Sequence, residues 1–199
     1  MTAIHPRIVA ALKVQLAARP ANAERVGWKA AYGIPEVEEL IGSAPAVGHL
    51  TTATEDVSAP ATHADVEIVV RVGSDDLGMA LELVDDTHLG DGLEAVVETN
   101  VMHRAFALGP TGTEPGEARL IVNGVVRVSA PASADHGATI AAIGRLLEAA
   151  GEQLQPGDRI LTGSVAQVPV GPGDHVVAEI DGLGRAALTV ATAGGPPPA

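Results

Sequence analysis

Three carboxylates set in apolar surroundings are the groups of this 199-residue chain best placed to do chemistry. The stretch "HADVEIVV", residues 63–70, alternates. His63, Asp65 and Glu67 fall on one side of an extended chain, and Ala64, Val66, Ile68 and Val70 fall on the other. Asp65 and Glu67 are then too far apart to share a proton but well spaced to bracket one cation. A half-buried strand with its polar face in water explains the same pattern. Glu82 stands between Leu81 and Leu83 in "ALELV", where an unpaired carboxylate is costly to bury. Three such groups brought to one point would make an all-oxygen site that prefers Mg²⁺ or Mn²⁺ to Zn²⁺. Spacing along the chain does not by itself bring them together.

Composition narrows the partners. The formal net charge of −13 would repel a phosphate backbone and argues against general nucleic-acid binding. An acidic chain can take an acidic substrate only through a local cation, either a basic side chain or a metal held by surplus carboxylates. The absence of cysteine excludes disulfides, thiolate metal sites and a cysteine nucleophile. It also suits a reducing cytoplasm. Lys13 interrupts the apolar part of the N-terminal stretch, and no run approaches the length of a membrane span, so a soluble cytoplasmic protein is expected.

The elements that must position these groups can be read from pattern. A hydrophobic content of 46% supports a packed core, and with aromatics at 2% that core must rest on Val, Leu, Ile and Ala. Residues 6–18 read as a helix, with Pro6 in the first turn and Ile8, Leu12 and Leu16 at helical spacing. "RVGWKAAYG" reads as a short strand, "PEVEELIG" (35–42) as a short helix, and residues 47–50 as a possible strand. "DVEIVVRVG", "MALELVDD" and "RAFALGP" read as strands. "EARLIVNGVVRVSA" is a hairpin turning on Asn123-Gly124, a pair suited to the positive φ of a type I′ turn. A helix near 136–154 follows, with Asp135 as its expected cap. Three strands, "DRILTG", "DHVVAEI" and "RAALTVAT", complete the pattern, with "SVAQVPVGPG" and "DGLG" as loops. The expected fold class is α+β. It is one β-rich domain of mixed sheets over residues 1–193, with a disordered tail at 194–199.

"VGWKAAYG", "ADVEIVV", "ALELV" and "RILTGSVAQVPVGPGDHVVAEIDGLGRAALTV" occur in an order that resembles the 2-keto-4-pentenoate hydratase and 4-oxalocrotonate decarboxylase branch of the fumarylacetoacetate hydrolase superfamily. The likeness runs from about Val26 to Val190, and its C-terminal block is the most specific part. The resemblance implies a fumarylacetoacetate hydrolase C-terminal-like fold. It implies Asp65, Glu67 and Glu82 as ligands of Mg²⁺ or Mn²⁺, Lys29 as the lysine beside the substrate carboxylate and reacting oxygens, and Thr162, Gly163 and Ser164 as a pocket-lining turn. It further implies a small 2-oxo acid as substrate and a homo-oligomer, with a partner subunit conceivable.

Such enzymes work through an enolate stabilised by the metal. Hydration of a 2-hydroxy-dienoic acid and decarboxylation of a 2-oxo diacid share that enolate. A hydratase-like lyase is the first expectation. A decarboxylase, or an inactive relative serving as a binding subunit, is the alternative. The chain departs from the family in three places. Asp65 stands where a Glu is usual, Thr99 replaces the acid of an Asp-Asn pair while Asn100 is kept, and Glu67 and Glu82 are 15 positions apart, with no room for a helix between them. The segment 35–42 holds Glu36, Glu38 and Glu39 but no histidine, which argues against a water-activating His/Glu pair there. His63 and His103 read as structural or surface residues.

Overall fold

The computed structural model describes residues 4–35, 38–39 and 44–192. Among the described residues the main elements are α1 (Pro6–Ala17), β1 (Arg25–Ala31), β2 (Ala46–Thr51), a 3-10 turn (Thr52–Thr54), β3 (His63–Arg71), β4 (Leu77–Val84), α2 (Leu93–Glu98), β5 (His103–Gly112), β6 (Glu117–Val122), β7 (Val125–Pro131), α3 (Gly137–Ala150), β8 (Arg159–Pro169), β9 (His175–Ile180) and β10 (Gly184–Thr189). The strands form a six-stranded sheet, β2-β1-β8-β3-β4-β5, and a four-stranded sheet, β10-β9-β6-β7. β1 and β8 run parallel and the other pairs run antiparallel, so the larger sheet is mixed, as expected.

The alternation in β3 and β4 decides which side each residue takes. Ala64, Val66 and Ile68 of β3, with Leu81 and Leu83 of β4, face the smaller sheet and pack on Leu120, Val176, Ala178 and Ile180. The Val, Leu and Ile side chains buried this completely contribute about 1.5–3 kcal/mol each. The odd-numbered residues of β3 must therefore face the other way, into the concave side of the larger sheet. That sheet curls until its two edge regions meet. Glu55, just beyond β2, forms a bridge to Phe106 of β5, and the Asp56 N–H donates to the Phe106 carbonyl at 2.8 Å. Val26, Leu50, Val69, Ala80, Phe106 and Leu161 fill the enclosed space. The three helices cover β1 and β2 through Ile8, Leu12, Val96, Val97, Ile143 and Leu147, packed on Trp28 and Val47.

The hairpin turns as its sequence requires, with φ of 52° at Asn123 and 79° at Gly124. Three expectations need correction. β8 does not stop at the "TGS" turn but runs to Pro169, because residues 166–169 pair with residues 63–66 of β3. Pairing across the sheet overrides the glycines and prolines that read as a loop. α2 was not expected. It has only six residues and no side-chain cap, and packing of Leu93, Val96 and Val97 holds it. Asp135 lies one residue too early to cap α3: the cap position is His136, and Asp135 instead accepts the Gly137 N–H at 3.2 Å. The helix expected over 35–42 lies largely outside the described residues, and the tail expected over 194–199 lies wholly outside them.

Candidate functional site

β3 and β4 are paired so that Asp65 stands directly opposite Glu82, with Glu67 next to Asp65 on the same face. Like charges directly opposite on neighbouring strands repel. Here the repulsion is placed where water cannot relieve it, since Asp65, Glu67 and Glu82 are 5%, 1% and 0% exposed. One carboxylate oxygen from each lies within 4.8 Å of the other two. Lys29 reaches them from β1, which is two strands away from β3 in the sheet order. Its Nζ lies 2.6 Å from Glu82 Oε1 and donates to the Val101 carbonyl at 3.2 Å. Only a curled sheet lets side chains of β1 and β4 meet in this way.

The local backbone supports the cluster. A register irregularity between β3 and β8 sits on both sides of Glu67. At that point Gly163 adopts φ +108° and donates its N–H to Glu67 Oε2 at 2.9 Å. Bulges of this kind commonly re-aim groups beside functional sites. The Thr162 hydroxyl donates to the Ile68 carbonyl at 3.1 Å, and Ser164 lines the cavity beside the carboxylates. Asn100, Val101 and Met102 all have positive φ, between 53° and 65°. A β-branched residue such as Val101 pays a steric cost there. That backbone aims the Val101 carbonyl at Lys29. Asn100 anchors it, with Oδ1 accepting the His49 N–H and Nδ2 donating to the His49 carbonyl.

The ionisation states follow from burial and neighbours. Burial, with help from the Glu82 charge, pushes the Asp65 carboxyl up to about 7. The same two causes hold Glu67 well above the usual carboxylate range. Burial opposes the charge on Glu82 too. The Lys29 ammonium and the His103 hydrogen bond outweigh it, and Glu82 falls to about 2. The cluster without a cation is thus one carboxylate stabilised by Lys29 beside two carboxyls that favour their protonated forms.

His103, read from the sequence as structural or surface, is buried against Glu82, a contact that the sequence did not show. It is 4% exposed, with Nδ1 donating to Glu82 Oε1 at 2.6 Å and Nε2 3.0 Å from the Thr54 hydroxyl. Burial lowers its pKa, against the pull of the Glu82 carboxylate. In the string "HRAFALG", His103 shares parity with Ala105 and Ala107, which face the smaller sheet. The register shifts between Leu83 and Val84, with one extra residue on β5, and this turns His103 to the concave side beside Phe106. A bulge of that sort leaves no trace in the periodicity.

A cavity of about 200 Å³ opens from these groups. Lys29, Tyr32, Asp65, Glu67, Glu82 and Ser164 line it, together with Ile34, Val84, Asp86, Leu89 and Met102. The residues present fit a hard divalent cation. Asp65 Oδ1 and Glu82 Oε2 are buried and have no hydrogen-bond partner among the described residues. Such orphaned acceptors are expensive unless a cation satisfies them. The donor set is all carboxylate oxygen.

Residues 93–191, about half of the chain, match the family described as fumarylacetoacetate (FAA) hydrolase C-terminal, and this region belongs to that family. The fold of the chain is that of solved structures at low sequence identity. One is 4-oxalocrotonate decarboxylase from Pseudomonas putida G7 complexed with magnesium and adipate, with a TM-score of 0.76 and 20% identity over 92% of this chain and 86% of that one. Another is 2-hydroxyhepta-2,4-diene-1,7-dioate isomerase from Mycobacterium marinum, with a TM-score of 0.60 and 20% identity over 87% and 78%. A third is fumarylpyruvate hydrolase from Pseudomonas aeruginosa in complex with Mn²⁺ and pyruvate, with a TM-score of 0.55 and 15% identity over 85% and 90%. No curated protein matches the chain by sequence. Among the described residues, no helix is long and apolar enough to cross a membrane.

Proposed function

We propose that the chain is a metal-dependent lyase acting on small 2-oxo or 2-hydroxy-dienoic acids, with 2-keto-4-pentenoate hydratase-like chemistry. The observation that carries this reading is the buried, directly opposed pair Asp65 and Glu82, each with an orphaned oxygen, beside Glu67. Asp65, Glu67 and Glu82 would hold Mg²⁺ or Mn²⁺. A bound cation of this kind supplies positive charge for the oxyanion that develops at C2 of such an acid.

The chain's own residues divide the remaining work. Lys29 presents an ammonium fixed between Glu82 and the Val101 carbonyl, 2% exposed, where it can hold an acid's carboxylate and stabilise negative charge at low dielectric. The Gly163 N–H fixes one Glu67 oxygen, so that carboxylate keeps its orientation without a counter-ion. Ser164 offers a hydroxyl on the cavity wall, and Thr162 ties the turn that carries Gly163 and Ser164 to β3. Ile34, Val84 and Met102 give the cavity lining its apolar part.

Likeness in fold to a 4-oxalocrotonate decarboxylase supports a second reading, loss of CO₂ from a 2-oxo diacid through the same enolate. An absorbance assay with 2-hydroxypenta-2,4-dienoate and with oxaloacetate, each with and without Mg²⁺ or Mn²⁺, separates the two. Metal-dependent turnover of the dienoate that disappears in Glu82→Gln supports the hydratase reading. Turnover of oxaloacetate alone supports the decarboxylase. Calorimetry showing no binding of either ion would overturn both.

A further inference from the structure

We propose that the cavity selects a monocarboxylate, a 2-oxo acid whose far end carries no charge, and that Asp86 is the residue that rejects a second carboxylate. This builds on the 2-oxo acid reading above and narrows it. Four carboxylates line the cavity, those of Asp65, Glu67, Glu82 and Asp86, against a single ammonium, that of Lys29. Lys29 is the only basic side chain among the described lining residues, and it is already paired with Glu82. The undescribed residues 1–3, 36–37, 40–43 and 193–199 contain no Lys, Arg or His that could add another. With a divalent cation in place, four negative groups, one ammonium and two ionic charges leave the lining one charge negative. A monocarboxylate adds one more negative charge and a dicarboxylate adds two.

Apart from the carboxylate cluster and Lys29 the lining is largely apolar, with Ile34, Val84, Leu89 and Met102, and Asp86, two residues past the end of β4 and four past Glu82, is its remaining charged member. Asp86 is held in place. The Thr62 hydroxyl donates to Asp86 Oδ1 at 2.6 Å, and the Asp86 N–H lies 3.0 Å from the same hydroxyl. The basic groups nearby are spoken for: His63 Nδ1 is 3.2 Å from Asp86 Oδ2, and Arg104 Nη2 is 3.0 Å from Asp85 Oδ2. An apolar chain end gains burial against this lining. A carboxylate in the same place would lose part of its water, meet no unpaired cation among the described residues and face the fixed Asp86.

The test uses two acids with the same five-carbon backbone, 2-oxopentanoate and 2-oxoglutarate, titrated calorimetrically into the full chain with Mg²⁺. Wild type should bind 2-oxopentanoate about tenfold more tightly or better, a margin kept modest because the Asp86 side chain is 34% exposed. Asp86→Asn, which can still accept from Thr62, should close most of that gap, and Asp86→Lys should reverse it. Equal or tighter binding of 2-oxoglutarate by wild type overturns the proposal and leaves the 2-oxo acid reading standing. A gap that Asp86→Asn leaves unchanged overturns the role of Asp86. Binding of neither acid by a protein that does bind Mg²⁺ overturns the substrate reading, and this inference falls with it.

Discussion

His103 on β5 donates its Nδ1–H to Glu82 Oε1 at 2.6 Å, the same oxygen that Lys29 approaches at 2.6 Å from β1. Two donors on one oxygen pin the Glu82 side chain and leave its other oxygen, Oε2, bare toward Asp65 and Glu67. His103→Ala should therefore weaken Mn²⁺ affinity about 10- to 100-fold, the usual effect of removing a partner behind a metal-binding carboxylate. His103→Gln, which can still donate, should recover part of that loss. Titration calorimetry on both variants checks this. A purely structural role for His103 would lower the melting temperature and leave affinity in the surviving folded protein unchanged.

Asp65 gives the metal-free protein a pH dependence of known sign. Its folded pKa, about 7, lies above the ordinary value of 3.8. Between these values the unfolded chain releases a proton that the folded chain keeps. Stability from this group is therefore full below about 3.8 and declines as pH rises toward 7. His49 acts in the opposite sense. Burial lowers it to about 4, so its contribution is present above 6.5 and fades as pH falls. Comparing Asp65→Asn with wild type isolates the first effect. Without metal, the variant should gain about 2–4 kcal/mol on wild type by pH 8 and little at pH 4. Adding Mn²⁺ should stabilise wild type and leave the variant nearly unmoved. Denaturant melts at the two pH values measure both.

The fold and the site were legible in the sequence to different depths, for physical reasons. Asp65, Glu67 and Glu82 could be singled out because strict alternation put each among apolar neighbours, and carboxylates there need an explanation. The facing of Asp65 by Glu82 could not be read, because register is a property of two strands and not of one. His103 was hidden by the extra residue on β5, and the run of β8 to Pro169 by its pairing with β3. In each case the missing information lay in strand pairing. Lys29 was visible as a lysine in an apolar strand, but its reach across the curl depends on the Glu55–Phe106 closure.

Lys29→Met keeps the apolar stem of the side chain and removes the ammonium. Glu82 then loses the first of the two influences that hold it near 2, and its pKa should rise. Activity on a 2-hydroxy-dienoic acid should fall by about 100-fold or more, through kcat rather than through metal affinity, because charge stabilisation at the reacting oxygens is lost. Steady-state kinetics together with Mn²⁺ calorimetry distinguish this from collapse of the site, in which affinity for the ion would fall in parallel.

Gly163 combines two constraints that can be separated by mutation. Its φ of +108° disfavours any side chain, and a Cβ there would stand 2.9 Å from Tyr32 Cδ2. Gly163→Ala should therefore cost about 1–3 kcal/mol and pull the 163 N–H away from Glu67. The Tyr32 hydroxyl bonds to Thr139 Oγ1 at 2.6 Å, which limits how far the ring can retreat. Adding Tyr32→Ala removes the clash and leaves the backbone strain. The double variant should thus regain part of the lost stability relative to the sum of the single changes. A fully additive pair would mean that strain alone sets the cost and that the ring has room to move. Urea melts of the four proteins give the coupling directly, and Mn²⁺ titration of the same set reports whether the Glu67 carboxylate has kept its place.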